Sequence, residues 1–226
     1  MNRIETALQA LQEKKEKAFI TYITAGLPDY DKTKAIIKAQ EAAGTDIIEL
    51  GIPFSDPVAD GPVIQAASYE AILGGANLEK TFTCMKEMRD DGVQIPIVFM
   101  MYYNTVLHYG VEKFVKECNA CGVDGLIIPD LPLEEQEELQ TQLQKEDGTI
   151  LISWFLRYPK TVCQKSLKMQ GICLLCVFHG SYRTGSNLPP SDFRISDGGK
   201  ERGKNSGYDG IWYPHGGGCT SDERDY

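Results

Sequence analysis

No stretch of the sequence reaches the roughly 18 consecutive apolar residues that a membrane span needs, and Met1–Lys17 is too charged for a secretion signal. A cytoplasmic protein with no membrane partner is expected. Basic residues are scarce: 23 Lys and Arg stand against 32 Asp and Glu, a net charge of −9. Nucleic acid would find little to bind. The three histidines, His108, His179 and His215, are scattered, without the local partners that a metal site or a catalytic triad needs. Seven cysteines form an odd set in a chain without a secretion signal, which favours reduced thiols over disulfides. Cys118-x-x-Cys121 has no second pair near it, so zinc is not expected. No metal site is assigned. What remains is 226 residues, 42% of them hydrophobic, enough to bury a substantial core.

The composition changes along the chain. Up to residue 152 there are 13 basic and 25 acidic residues, whereas the remainder has 10 and 7, so the sign of the charge reverses. The last 74 residues also hold half of the 22 glycines and both tryptophans, Trp154 and Trp212. Two kinds of sequence are joined.

The first kind alternates short apolar runs with amphipathic stretches. Ala18–Thr24, Asp46–Leu50, Ile95–Met101, Gly125–Ile128 and Thr149–Ser153 have the continuous, β-branched character of strands buried on both faces. Asp31–Ala43, Val63–Leu73, Leu78–Asp90, Val111–Cys121 and Glu134–Lys145 carry helical spacing between them. Such alternation predicts βα units around a parallel sheet. Five units of about 30 residues make just over half of an eight-unit barrel of about 250 residues, and an open doubly wound sheet fits equally well. The absence of G-x-G-x-x-G after the first run argues against dinucleotide binding. Beyond Ser153 only Gly171–Phe178 reads as a strand, and Ser191–Tyr226, rich in Gly, Asp, Arg and Ser, reads as poorly ordered.

Parallel βα folds bind ligands at the carboxyl ends of their strands, so polar residues just after the apolar runs are the first candidates. Glu49 is the most informative, because Ile47-Ile48-Glu49-Leu50 sets a carboxylate inside an apolar run. Burial raises a carboxyl pKa and suits it to exchanging protons near neutral pH; a solvated or ion-paired strand-end Glu is the alternative. Asp60 lies in a loop that also holds Asp56 and is stiffened by Pro53, Pro57 and Pro62. Either acid could equally be a turn former. Tyr22 and Tyr102 end strands as substrate walls or as core and rim residues.

The segments Tyr22-Ile23-Thr24-Ala25-Gly26-Leu27-Pro28 and Ile48-Glu49-Leu50-Gly51-Ile52-Pro53-Phe54-Ser55-Asp56-Pro57-Val58-Ala59-Asp60-Gly61-Pro62 resemble the two signature segments of the tryptophan synthase alpha chain family. Asp124-Gly125 through Pro129-Asp130-Leu131-Pro132 is similar to that family's fourth-strand motif. The resemblance covers residues 1–153 and implies a (β/α)8 TIM barrel, of which five βα units are intact here. It implies a lyase of tryptophan biosynthesis, cleaving indole-3-glycerol phosphate to indole and glyceraldehyde 3-phosphate. Glu49 and Asp60 fall on the two catalytic carboxylates, Tyr22 and Tyr102 near the indole pocket. Asp56, Pro57 and Asn104 fall on surfaces facing the β chain of an α2β2 tetramer. No cofactor is implied in this chain, since pyridoxal phosphate belongs to the β chain.

The resemblance stops before the Gly-rich phosphate cradle that the family's later strands supply. Codons for Gly171–Arg183, read one base later, permit the family segment Gly-Phe-Val-Tyr-Cys-Val-Ser-Ser-Met-Gly-Val-Thr-Gly. The same shift at Asp209–His215 permits Met-Gly-Phe-Gly-Ile-Arg-Thr, another family motif. Residues 1–153 therefore read as a partial barrel and 154–226 as a frame-shifted, poorly ordered tail. Two alternatives to full activity follow: an impaired remnant that at most binds the β chain, or another phosphate-binding barrel enzyme. Sequencing the 3′ half of the gene should return codons that spell these motifs one base out of frame; an intact frame whose codons cannot spell them contradicts the reading.

Overall fold

The computed structural model describes residues 2–146 and 148–152 with their side chains, and the strand backbone at 153–156, 173–176 and 210–212. The chain divides into two compact units, Met1–Leu151 and Ile152–Tyr226.

In the first unit four parallel strands pair in chain order: β1 (Ile20–Thr24), β2 (Ile47–Gly51), β3 (Ile97–Met100) and β4 (Gly125–Ile127). Strand β5 (Ile150–Leu156) begins beside β4, where the Ile150 N–H donates to the Asp124 carbonyl at 3.1 Å. Between the strands lie α2 (Tyr30–Ala42), α3 (Pro62–Leu73), α4 (Leu78–Asp90), α5 (Tyr103–Tyr109), α6 (Val111–Cys121) and α7 (Glu137–Lys145). All five expected strands and all five expected helices are present with small shifts at their ends. The stretch from Glu134 is broken, a short 3-10 turn at Leu133–Glu135 preceding α7.

Two helices lie outside the amphipathic pattern. One, α1 (Arg3–Lys14), starts on a capping box: the Asn2 side chain accepts from the Ile4 N–H, and Glu5 accepts from the Asn2 N–H at 3.0 Å. The other, α5, has no side-chain cap of its own. Its first N–H, at Tyr103, donates instead to the Asp130 carboxylate at 2.9 Å, from 27 residues downstream.

The two faces of the sheet differ, and this resolves the choice between an open sheet and a barrel arrangement. Ile48, Leu50, Phe99 and Leu126 belong to one cluster with Ile37 of α2, Phe82 and Met85 of α4, Phe114 of α6 and Leu139 of α7. Ile47, Val98 and Ile127, on the alternate positions, are buried on the opposite face. The large helices thus cover one face, and consecutive strands pair without reversal, as in a barrel wall and unlike a doubly wound sheet. Strand β1 carries no partner on its outer edge among the described residues, and four of its five residues are only partly buried.

At the strands' amino-terminal ends, two acids, the partly buried Asp46 and the buried Asp124, tie backbone to backbone. The Phe19 N–H donates to Asp46 at 2.7 Å and the Ile97 N–H to Asp124 at 2.9 Å. Asp124, almost fully buried, also accepts from Arg3 at 2.9 Å and from Arg89 at 2.7 Å, while Arg89 donates to the carbonyls of Gly122, Val93 and Ile95. One carboxylate thereby joins α1, α4 and β3. In the second unit, β5 pairs parallel with β6 (Cys173–Cys176), inside the expected Gly171–Phe178 run, and β6 pairs antiparallel with β7 (Gly210–Trp212), which the sequence did not suggest. Most of the tail expectation for 154–226 lies outside the described residues.

Replacing a buried acid that serves two arginines leaves both cations unpaired. Asp124→Ala should lower the unfolding free energy by about 3 kcal/mol or more in a urea titration; a loss below about 1 kcal/mol would show that the network is not stabilising.

Candidate active site

The face of the sheet opposite the large helices carries the chemistry. The register places Tyr22, Glu49, Val98 and Gly125 at one level across β1 to β4, and Thr24, Gly51, Met100 and Ile127 at the level above. Glu49 therefore stands between an aromatic ring and a fully buried valine. Its carboxyl group receives no hydrogen bond among the described residues. Burial alone pushes its pKa up to about 7, because a charge there loses water and gains no compensating donor.

Tyr22 leans along its strand over Gly51. A Cβ built on Gly51 would lie 2.6 Å from the ring carbon Cζ of Tyr22, so glycine is required there. The Tyr22 hydroxyl is raised in pKa first by burial, with further contributions from the charges of Asp60 and Glu49. Both acids are thus felt at one tyrosine. Asp60, partly buried, is also raised in pKa by burial, with the Tyr102 hydroxyl beside it pulling the other way.

The loop that carries Asp60 is tied at several points. Ile52 donates to the Met100 carbonyl at 2.9 Å, and the Asp60 N–H donates to the Pro57 carbonyl at 3.0 Å. The Gln65 carboxamide donates to the Asp60 carbonyl at 2.9 Å, and the Ala59 N–H donates to the Tyr102 hydroxyl at 2.8 Å. Tyr102, only 5% exposed, stacks on Phe54 with ring centroids 5.0 Å apart. Gly51, Phe54 and Gln65 were not singled out in the sequence; of these only the glycine, two residues after the strand acid Glu49, left a readable trace.

Asp56 is exposed and accepts from the Ser55 hydroxyl at 2.6 Å; Pro57 is half-buried in the same loop. Asn104 is exposed on α5. Val58 follows Pro57 in that loop, Val63 lies in α3 and Leu107 in α5, and all three are large apolar side chains left exposed. Cys84, Cys118 and Cys121 are buried free thiols, and no cluster of metal-binding side chains occurs among the described residues. No described helix is long and apolar enough to cross a membrane.

A parallel βα wall with ionisable side chains on one face of β1 and β2 and in the loop that follows β2 is the layout of a (β/α)8-barrel enzyme. The profile of the tryptophan synthase alpha chain family matches residues 8–165. The chain belongs to that family. The alpha chain of Lachnospira eligens is 64% identical over 153 residues, covering 67% of this chain and 58% of the relative. That of Alkaliphilus metalliredigens is 56% identical over 145 residues, covering 64% and 54%. The chain thus spans little more than half the length of these relatives. Among solved structures, the alpha subunit from Legionella pneumophila superposes with a TM-score of 0.66 at 35% identity, covering 69% of this chain and 59% of that one. The tryptophan synthase complex from Pyrococcus furiosus gives 0.63 at 36% identity, covering 68% and 62%. Both support the TIM-barrel class.

A carboxyl with a raised pKa makes the folded state hold a proton that the unfolded chain has released. Between about pH 4.5 and about pH 7 the folded chain binds more protons at Glu49, so this group's contribution to stability is present at low pH and is lost as pH rises through 7. Glu49→Gln, neutral throughout, should gain in melting temperature relative to the unaltered chain on going from about pH 5 to about pH 8. A difference that does not change with pH would mean that Glu49 is not held in an apolar setting.

Proposed function

We propose that this chain carries the reaction of the alpha subunit, the retro-aldol cleavage of indole-3-glycerol phosphate to indole and glyceraldehyde 3-phosphate. The observation that carries the proposal is an unpaired, partly buried Glu49 whose pKa burial pushes up to about 7, on a sheet face shared with Tyr22, a tyrosine that also feels the Asp60 charge. Protonated Glu49 gives its proton to indole C3, which leaves a cationic ring with the charge on nitrogen. The bond from C3 to the side chain then breaks, and its electrons restore the aromatic ring. Glu49, now a carboxylate, takes the proton from the side-chain hydroxyl as that carbon becomes the aldehyde. Protons and electrons balance. Asp60 accepts a hydrogen bond from the ring N–H while the nitrogen is positive. Tyr22, above Gly51, flanks the indole.

Asp56, Pro57 and Asn104, with exposed Val58, Val63 and Leu107 around them, form a surface for the β chain of an α2β2 tetramer. That chain would hold pyridoxal phosphate and receive the indole; the alpha chain itself needs no cofactor. A cytoplasmic location with neither nucleic-acid nor membrane partners accompanies this reading. Residues 1–153 are the partial barrel, and 154–226 are frame-shifted translation.

One observation keeps a second reading, that of a remnant which binds the β chain without cleaving substrate. The family match ends at residue 165 of 226, and the expected phosphate cradle falls beyond it. An assay of indole release should find Glu49→Gln and Asp60→Asn each slower than the unaltered chain by about 100-fold or more. Release that is equal in all three would contradict the assignment. Stimulation of β-chain activity without any release would favour the remnant.

A further inference from the structure

We propose that Tyr102 is a positioning residue for Asp60, its hydroxyl clamping the Ala59–Asp60 turn to the end of β3. This rests on the lyase reading for its purpose but not for its geometry. Tyr102 follows β3 and is the residue on which α5 starts, so its backbone is fixed by the sheet at one side and by a helix at the other. Its ring is held by Phe54, and at 5% exposure it has almost no free surface to offer a ligand. What it does offer is one oxygen, which accepts from the Ala59 N–H at 2.8 Å.

The neighbouring ties explain why this bond matters. The Asp60 N–H to Pro57 bond lies within the loop, and the Gln65 bonds tie it to α3, which is sequential with it. Neither fixes the turn relative to β3. Gly61, which caps α3, supplies no side chain to do so. The Tyr102 oxygen is thus the side-chain tie from this turn to a different βα unit among the described residues. Its bond to Ala59 sets where the next residue, Asp60, stands relative to Glu49 on β2. Burial pushes the Tyr102 pKa up to about 12 with the Asp60 carboxylate adding to it, while the bond from the Ala59 N–H pulls the other way.

Hydrogen exchange of the full chain, with Tyr102→Phe and Phe54→Leu variants, tests the clamp. In the unaltered chain the Ala59 amide should exchange at least about ten-fold more slowly than an unbonded exposed amide. Tyr102→Phe keeps the ring and should accelerate Ala59 by about ten-fold, whereas Phe54→Leu, which keeps the hydroxyl, should leave it within about two-fold. With substrate, Tyr102→Phe should lower kcat by about ten-fold with KM within about two-fold, since the hydroxyl's hold on Asp60, through the Ala59 N–H and at the carboxylate itself, is lost while the ring stays. Accelerated Ala59 exchange in a chain that cleaves nothing upholds the clamp and removes the lyase reading. Fast Ala59 exchange in the unaltered chain, or none of the expected change in Tyr102→Phe, overturns the clamp.

Discussion

The constraint on which the site depends is the desolvation of one carboxyl group. Glu49 occupies a sheet position whose neighbours at the same level are Tyr22 and Val98, and it finds no donor among the described residues. A structural glutamate in such a place would be paired, as Asp124 is paired with two arginines and a backbone N–H. The two acids show opposite uses of burial. Asp124 is paired with two cations and joins elements; Glu49 stands between Tyr22 and Val98 with no cation beside it, and burial pushes its pKa up to about 7.

Around that carboxyl the fold supplies rigidity at both ends of the strands. At the amino-terminal ends, Asp46 and Asp124 bind the N–H groups of neighbouring chain segments, and α1 is joined to Asp124 through Arg3. At the carboxyl ends, Asp130 caps α5 and the Tyr102 hydroxyl receives the Ala59 N–H. Side chains directed across elements therefore bind backbone at each end, and the reactive groups stand on β2 and on the braced loop that follows it.

Much of this was legible from residue order. The buried strands announced themselves through β-branched runs, and the acid inside Ile47-Ile48-Glu49-Leu50 drew attention because it broke one. Barrel and open sheet could not be separated by periodicity, since that choice depends on which face the helices take, a long-range property. Helix α5 was illegible for the same reason: its cap is Asp130, not a neighbour in sequence. Helix α1 carried a local signal, Asn2 three residues before Glu5, hidden by a charged and weakly apolar stretch. Tyr102 read as a substrate wall or as a core or rim residue, since an aromatic at a strand end allows either; only the structure reveals that its hydroxyl is bonded to backbone.

The most direct test of the central claim follows the proton from Glu49 to carbon. Indole in deuterated buffer exchanges hydrogen at C3 only when something delivers a deuteron there and removes the proton, and this requires no phosphate site. The chain should accelerate C3 exchange over buffer alone, and Glu49→Gln should abolish the acceleration while leaving the fold intact. Acceleration that survives in Glu49→Gln, or that is absent from a folded unaltered chain, would contradict the role given to this carboxyl group.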